Sequence, residues 1–261
     1  MTDKILTEQK GEVARIIFNQ PEKRNAVSLE MWEAVEAALA RFAADDSVRV
    51  LILSGAGGKA FVSGADISKF ESERSSAEAV AHYNATTKRV YDAVEGFAKP
   101  TIAQIDGFCV GGGVALSLCC DMRICGEGSN FAIPAAKLGL GYGFPGINRL
   151  VQVVGPSFAK EIFFTARRFN AEEARVMGLV NRVVPDGTVA EAAEATAAMI
   201  AANAPMTVDS VKFIVGQTVA PESERDLDAC QARVDECFAS ADYVEGRRAF
   251  LEKRKPAFVG A

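Results

Sequence analysis

The sequence predicts an α/β chain with a helical C-terminal region. Three observations carry this expectation. Segments rich in β-branched residues alternate with segments of helical periodicity over the first two-thirds of the chain. Two glycine clusters, SGADI at 63–67 and GGG at 111–113, fall where a strand hands over to a helix. From about Phe158 onward the pattern changes to helix-period segments. The 261 residues suffice for one large domain, or for one domain with a small helical appendage. The expected division is an α/β core over residues 1–195 and a helical region over 196–261.

Residues 13–19 (VARIIFN) and 49–55 (RVLILSG) have the composition of strands, each ending at a turn signal. Between them residues 28–44 predict a helix. Ser28 is its expected N-cap, and Met31, Trp32, Val35, Leu39 and Phe42 recur at helical spacing. A strand-helix-strand start implies a parallel pair. Residues 75–98 predict a long helix stopped before Pro100, and 101–105 a third strand. A short helix follows the GGG cluster, then a strand over 122–125. Residues 171–177 predict a helix closed by Gly178, and 189–202, 206–217, 222–240 and 242–253 predict further helices. Leu227, Cys230, Val234, Cys237 and Phe238 form an apolar stripe that needs a partner. The C-terminal helices are therefore expected to pack on another subunit.

Composition excludes several function classes. The net charge is −5 with basic residues scattered, whereas a nucleic-acid surface needs a basic stripe. The most apolar segment, 102–120, contains Gln104, Asp106 and four glycines, so a buried strand-turn-helix explains it better than a membrane span. The first residues carry no apolar core of a signal peptide, and a cytoplasmic location is expected. The six cysteines form no CxxC pair and are expected to be reduced and buried. One histidine, His82, excludes a multi-histidine metal site, and no metal is expected.

The glycine junctions admit two interpretations on residues alone. The GGG cluster lacks the spacing of a phosphate-binding P-loop or a dinucleotide fingerprint. Glycine does let a backbone approach a ligand closely, and the first turn of a helix leaves N–H groups unpaired. Two such donors could flank one developing oxyanion. Equally, the glycines could serve only tight packing.

The ordered motifs KAFVSGADI, PTIAQIDGFCVGGGVALSLCCDMRIC, NQPEKRNAVS, KLGLGYGFPGINRL and AEEARVMGLVNRVVP resemble the enoyl-CoA hydratase/isomerase (crotonase) family, from about Val13 to Pro185. The resemblance implies a spiral of β-β-α units with a trimerising helical C-terminal region. It implies a CoA thioester as substrate, in a homotrimer or dimer of trimers, with no cofactor beyond the CoA moiety. The thioester oxygen would lie between the backbone N–H groups of Ala65 and Gly112. Lys23, Arg24, Ser63, Ala65, Asp66 and Ile67 would contact CoA, and Phe250 and Lys253 would reach the CoA of a neighbouring subunit.

The chain departs from the hydratase pattern at both acids. GGGxE is here GGGVA, with Ala115, and FxxPE is here FAIPA, with Ala135. Methyl groups cannot serve as general acid or base, so water addition by two glutamates is not expected. Tyr142 stands where decarboxylases of malonyl-type thioesters in this family carry a tyrosine, and packing under its loop is the other role open to it. Loss of both acids is also compatible with a non-catalytic acyl-CoA-binding paralogue. His82 is expected to be a partly solvated helix residue, Asp66 a cap of the helix starting at 65–67, and Cys109 a buried thiol. Glu71 and Glu73 are expected to be solvated, though either could approach the acyl group.

Overall fold

A computed structural model describes residues 2–69, 73 and 75–261 of the chain. Strands β1 (Ile5–Lys10) and β2 (Val13–Phe18) form an antiparallel hairpin, followed by helix α1 (Leu29–Ala43). Then come β3 (Val50–Gly55), β4 (Ala60–Val62) and α2 (Ala77–Glu95). β5 (Thr101–Ile105), β6 (Phe108–Val110) and α3 (Gly112–Cys119) repeat that order. β7 (Met122–Gly126), β8 (Asn130–Ala132) and the long α4 (Phe144–Thr165) repeat it again.

Each repeat contributes its first strand to one sheet and its second to another. The larger sheet runs β1-β2-β3-β5-β7-β10, where β10 is Arg182–Val184, and all its pairs beyond the first hairpin are parallel. The smaller sheet runs β4-β6-β8-β9, where β9 is Phe169–Asn170, and helix α5 (Ala171–Val176) follows β9. This is the β-β-α spiral that the sequence resemblance implies. Parallel neighbours need crossovers, and α2 and α3 supply them.

Strand β3 is buried on both faces because the core lies on both sides of the larger sheet. Leu51 and Leu53 point into the main core with Ile16, Phe18, Trp32 and Phe61. Val50 and Ile52, with Ile102 and Ile124, pack on helix α6 (Val189–Ala201) through Val189, Ala193 and Ala197. α6 spans the expected 195/196 division. Beyond it lie α7 (Pro205–Val219), α8 (Leu227–Ala239) and α9 (Ala241–Glu252). The C-terminal tail folds back: Asp242 accepts the N–H groups of Val259 and Gly260, and Arg49 donates to Phe258 O at 2.8 Å. Among the described residues no helix is long and apolar enough to cross a membrane.

Several local expectations need correction. Helix α2 is shorter than 75–98, starting at the Ser76 cap, whose hydroxyl accepts from Ala79 N. Ser28 makes no side-chain cap on α1. Its Oγ is buried without a partner, and the Glu73 carboxylate accepts the Leu29 N–H instead, at 3.1 Å. The segment 222–240 is a 3-10 turn at Glu222–Glu224 followed by α8, separated by the Asp226 cap. The change of pattern at Phe158 falls inside α4, which kinks at Gly155 (φ 75°) just before Pro156. The expected helix from 65–67 is one 3-10 turn, Ile67–Lys69.

Candidate active site

The two glycine junctions meet because β4 and β6 are parallel neighbours. β4 runs into Ser63, Gly64 and Ala65, and Gly64 takes φ +107°. Val27 bridges this turn: its N–H donates to Gly64 O at 2.8 Å, and its carbonyl accepts from Asp66 N at 2.9 Å. The bridge leaves the Ala65 N–H out. β6 runs into Gly111, whose φ of 55° and ψ of −112° suit only glycine. Helix α3 then opens at Gly112, so the Gly112 N–H is a first-turn donor. Among the described residues neither the Ala65 nor the Gly112 N–H has an acceptor.

The junctions touch closely. A Cβ on Gly64 would lie 3.9 Å from the Gly112 nitrogen, and one on Gly113 would lie 2.0 Å from the Val62 carbonyl oxygen. Glycine at 113 is thus a packing requirement, whereas Gly64 and Gly111 answer to backbone conformation. The packing interpretation left open by the sequence therefore holds at Gly113.

Ala65 and Gly112 line one cavity of about 560 Å³. Helix α2 contributes Tyr83, Asn84, Thr87, Lys88 and Tyr91 along one face, with Trp32 of α1 beside them. Ala115 and Leu118 come from α3, and the segment 140–149 adds Tyr142 and Arg149. Among the described residues no carboxylate lines this cavity. Ala115 faces it; Ala135 is buried at 5% exposure in the core and is not on its wall. The two positions where hydratases keep glutamates are therefore not equivalent in this chain.

Tyr83, Lys88, Tyr91, Tyr142 and Arg149 of this wall carry protons or charge. The Tyr91 hydroxyl donates to Gly112 O at 3.3 Å, and its ring meets Trp32 edge-on at 5.6 Å. Burial raises the Tyr91 phenol well above its ordinary value, with Tyr142 adding to the shift and Arg149 opposing it. Tyr142 packs edge-on against Phe163 at 4.9 Å, and burial raises its phenol too. Arg149 pairs with Glu95 and, at 3.0 Å, with Asp92, and the Glu95 bond raises its pKa further. Neither Tyr91 nor Arg149 was singled out in the sequence. The signal for Tyr91 was its place at i+8 from Tyr83 on an otherwise polar helix face.

The remaining candidates divide. Lys23, Arg24, Ser63, Ala65, Asp66 and Ile67 form one contiguous patch. Lys23 Nζ binds Asp66 Oδ2 and Ser68 Oγ, both at 2.8 Å. Burial would push the Asp66 carboxyl up, but Lys23, Ser68 and Gln20 outweigh it and bring it down to about 2. Ser63 N donates to Arg24 O at 3.2 Å. The Arg24 guanidinium lies 4.9 Å from the Phe108 ring centre, and Arg168 reaches the same ring at 5.3 Å. Ile67 is 69% exposed. Phe250 and Lys253 are not brought to this patch; they end α9, and Phe250 borders a separate apolar groove between α7, α8 and α9. His82 is exposed, 3.7 Å from Glu33, and Cys109 is a buried thiol pushed up to about 12 by burial. Glu73 is committed to Leu29, and Glu71 lies outside the described residues.

Comparison with known proteins agrees over the whole chain. The sequence profile described as enoyl-CoA hydratase/isomerase matches residues 8–261. The crotonyl-CoA hydratase of Syntrophomonas wolfei is 34% identical over 257 residues, 98% of each chain. The carnitinyl-CoA dehydratase of Proteus mirabilis is 34% identical over 256 residues, 96% of each. The crystal structure of an enoyl-CoA hydratase/carnitine racemase from Magnetospirillum magneticum superimposes with a TM-score of 0.91 at 37% identity, covering 100% of this chain and 97% of that one.

Proposed function

Because this chain belongs to the enoyl-CoA hydratase/isomerase family, we propose that its cavity binds a CoA thioester with the carbonyl oxygen between the Ala65 and Gly112 N–H groups. The observation that carries this reading is the pair of unengaged donors, set side by side on one cavity wall by neighbouring strands. Forming an enolate moves a full charge onto the thioester oxygen. Preorganised donors aimed there contribute about 2.7–4 kcal/mol each, and the α3 dipole adds to the field at Gly112. The chain is an acyl-CoA-binding enzyme of this superfamily; its distinctive feature is that the charge is met by main chain, not by side chains.

Lys23, Arg24, Ser63, Asp66 and Ile67 rim the same junction and suit the nucleotide end of CoA. Arg24 and Arg168 on the Phe108 ring add cations that fit its phosphates. Phe250 and Lys253, far from this rim in one chain, act on a neighbour's CoA in a trimer or dimer of trimers. The test is Gly112→Pro, which deletes the donor. A variant that keeps its circular dichroism should lose thioester turnover by at least the two to three decades of one donor. A folded variant with near-normal turnover refutes the reading.

A second reading follows from the absence of carboxylates on the cavity wall among the described residues. Hydration by the two-glutamate route requires them, and a decarboxylation does not, because loss of CO2 itself generates the enolate. Tyr142, kept neutral by burial, can donate to the carboxylate of a malonyl-type thioester. A mass-spectrometric screen of enoyl-, hydroxyacyl- and malonyl-type CoA thioesters separates the routes. Binding without turnover of any of them would make the chain a non-catalytic acyl-CoA-binding paralogue.

A further inference from the structure

Resting on the enolate reading above, we propose that Tyr91 is the acid that returns a proton to the enolate carbon. Its hydroxyl is the only side-chain donor bonded to the main chain of either glycine junction among the described residues. A Cβ on Gly112 would lie 3.3 Å from that oxygen. Adding the intervening covalent bonds places the hydroxyl within about 6 Å of the Gly112 nitrogen. The hydroxyl therefore shares the cavity wall with the nitrogen that would hold the thioester oxygen.

The other proton carriers on the wall are differently engaged. Lys88 reaches out to Asp92 with its side chain 68% exposed. Arg149 is fixed to Asp92 and Glu95, and a guanidinium does not release its proton. The Tyr83 hydroxyl accepts from Trp32 Nε1 at 3.3 Å. Tyr142 is packed on Phe163, and its hydroxyl makes no bond to Ala65 or Gly112. Tyr91 stands on a helix, with its ring held edge-on by Trp32, so its aim is set by rigid elements. Burial keeps the phenol protonated at neutral pH. A buried neutral acid cannot abstract the α-proton first, but it can supply one to a carbanion that another event has made.

The step balances as follows for a malonyl-type thioester. The bond between C2 and the carboxylate carbon breaks, its electron pair moves into the enolate, and CO2 leaves. The enolate pair at C2 then takes the Tyr91 proton, forming C–H as O–H breaks. The phenolate regains a proton from water, so one proton is consumed per turnover. Arg149, which opposes the rise in the Tyr91 pKa, eases the transient phenolate.

The experiment uses methylmalonyl-CoA in deuterium oxide, with wild type, Tyr91→Phe and Tyr142→Phe. Phenylalanine keeps the ring contact with Trp32 and removes only the hydroxyl. Wild type should yield propionyl-CoA carrying one deuterium in a single configuration at C2, and whatever propionyl-CoA Tyr142→Phe forms, at a lowered rate, should keep that configuration. Tyr91→Phe should still release CO2 but lose that configuration, giving both deuterated forms. Retention of one configuration by Tyr91→Phe overturns the proposal, as does loss of CO2 release in that variant, which would make the hydroxyl a packing or binding group. If wild type releases no CO2, the decarboxylation reading fails first and takes this inference with it.

Discussion

Adjacent glycines in the GGG cluster should respond oppositely to the same methyl group. At Gly113 a Cβ would stand 2.0 Å from the Val62 carbonyl oxygen and 2.9 Å from its carbon, both main-chain atoms of β4. Ordinary van der Waals contact begins at 3.4 Å, so α3 must retreat from β4 by more than an ångström. At Gly112 the same methyl would meet only the Tyr91 hydroxyl at 3.3 Å and the Gly64 Cα at 3.8 Å. Overpacking typically costs about 1–3 kcal/mol, so Gly113→Ala should remain folded with a lowered melting temperature. Displacing the Gly112 donor by about 1 Å should also cost on the order of 100-fold in turnover. Gly112→Ala keeps its N–H and gains helix propensity, so its stability should be unchanged or higher by up to about 1 kcal/mol. The assays are thermal unfolding by circular dichroism and turnover of whichever CoA thioester the screen identifies. A Gly113→Ala protein with wild-type melting and turnover would refute the claim that close approach of β4 and α3 sets the donor geometry.

Three further outcomes are expected. Crotonyl-CoA hydration should be slow, because each positioned acid or base contributes about 10²–10⁴-fold and Ala115 and Ala135 supply neither. Of the two, Ala115→Glu should raise it more, since Ala115 faces the cavity and Ala135 is in the core; an initial-rate assay reading ordinary hydratase turnover in the wild type would contradict this. The Lys23–Asp66 pair should contribute stability above about pH 4 that is lost as pH falls toward 2, because the folded carboxyl is depressed to about 2 and the unfolded one is not. The depression corresponds to at most about 2.5 kcal/mol, less whatever solvent screens at the half-exposed Lys23. Asp66→Asn should flatten that limb in acid-unfolding curves, and an unchanged limb would speak against the pair. Finally, the exposed Leu227, Phe238, Val244, Phe250 and Leu251 of α8 and α9 should bring copies together, so light scattering at micromolar concentration should report a trimer or its double rather than a monomer.

What could be seen in the sequence tracks how each residue is buried. β3 was legible because both its faces are covered, making VLILSG a continuous apolar run. β1 was not, because only Ile5 of its six residues is buried and the strand lies at a sheet edge. β4, β6 and β8 are three residues each, too short for any period to show. The Ser28 cap was a reasonable inference that tertiary structure overrode, since Glu73 arrives from a distant segment and takes another first-turn N–H, that of Leu29. The glycine junctions were visible because backbone conformation demands a residue type. Tyr91 and Arg149 were hidden because a tyrosine or arginine on a helix carries no mark of the wall it faces until the crossovers place it.

The kink in α4 bears on how the protein breathes. Pro156 has no N–H to give, and Gly155 leaves the helical conformation altogether, so the hydrogen-bond ladder is interrupted there. The two halves need not open as one cooperative unit. The half before the break carries Gly146 and Arg149 to the cavity wall and Leu150 and Val154 to the core, while the half after it holds Ala159 and Ile162 there. Amide hydrogens on the first half can therefore exchange through an opening that leaves the second half protected, and the cavity wall can loosen together with Leu150 and Val154 while Ala159 and Ile162 stay packed.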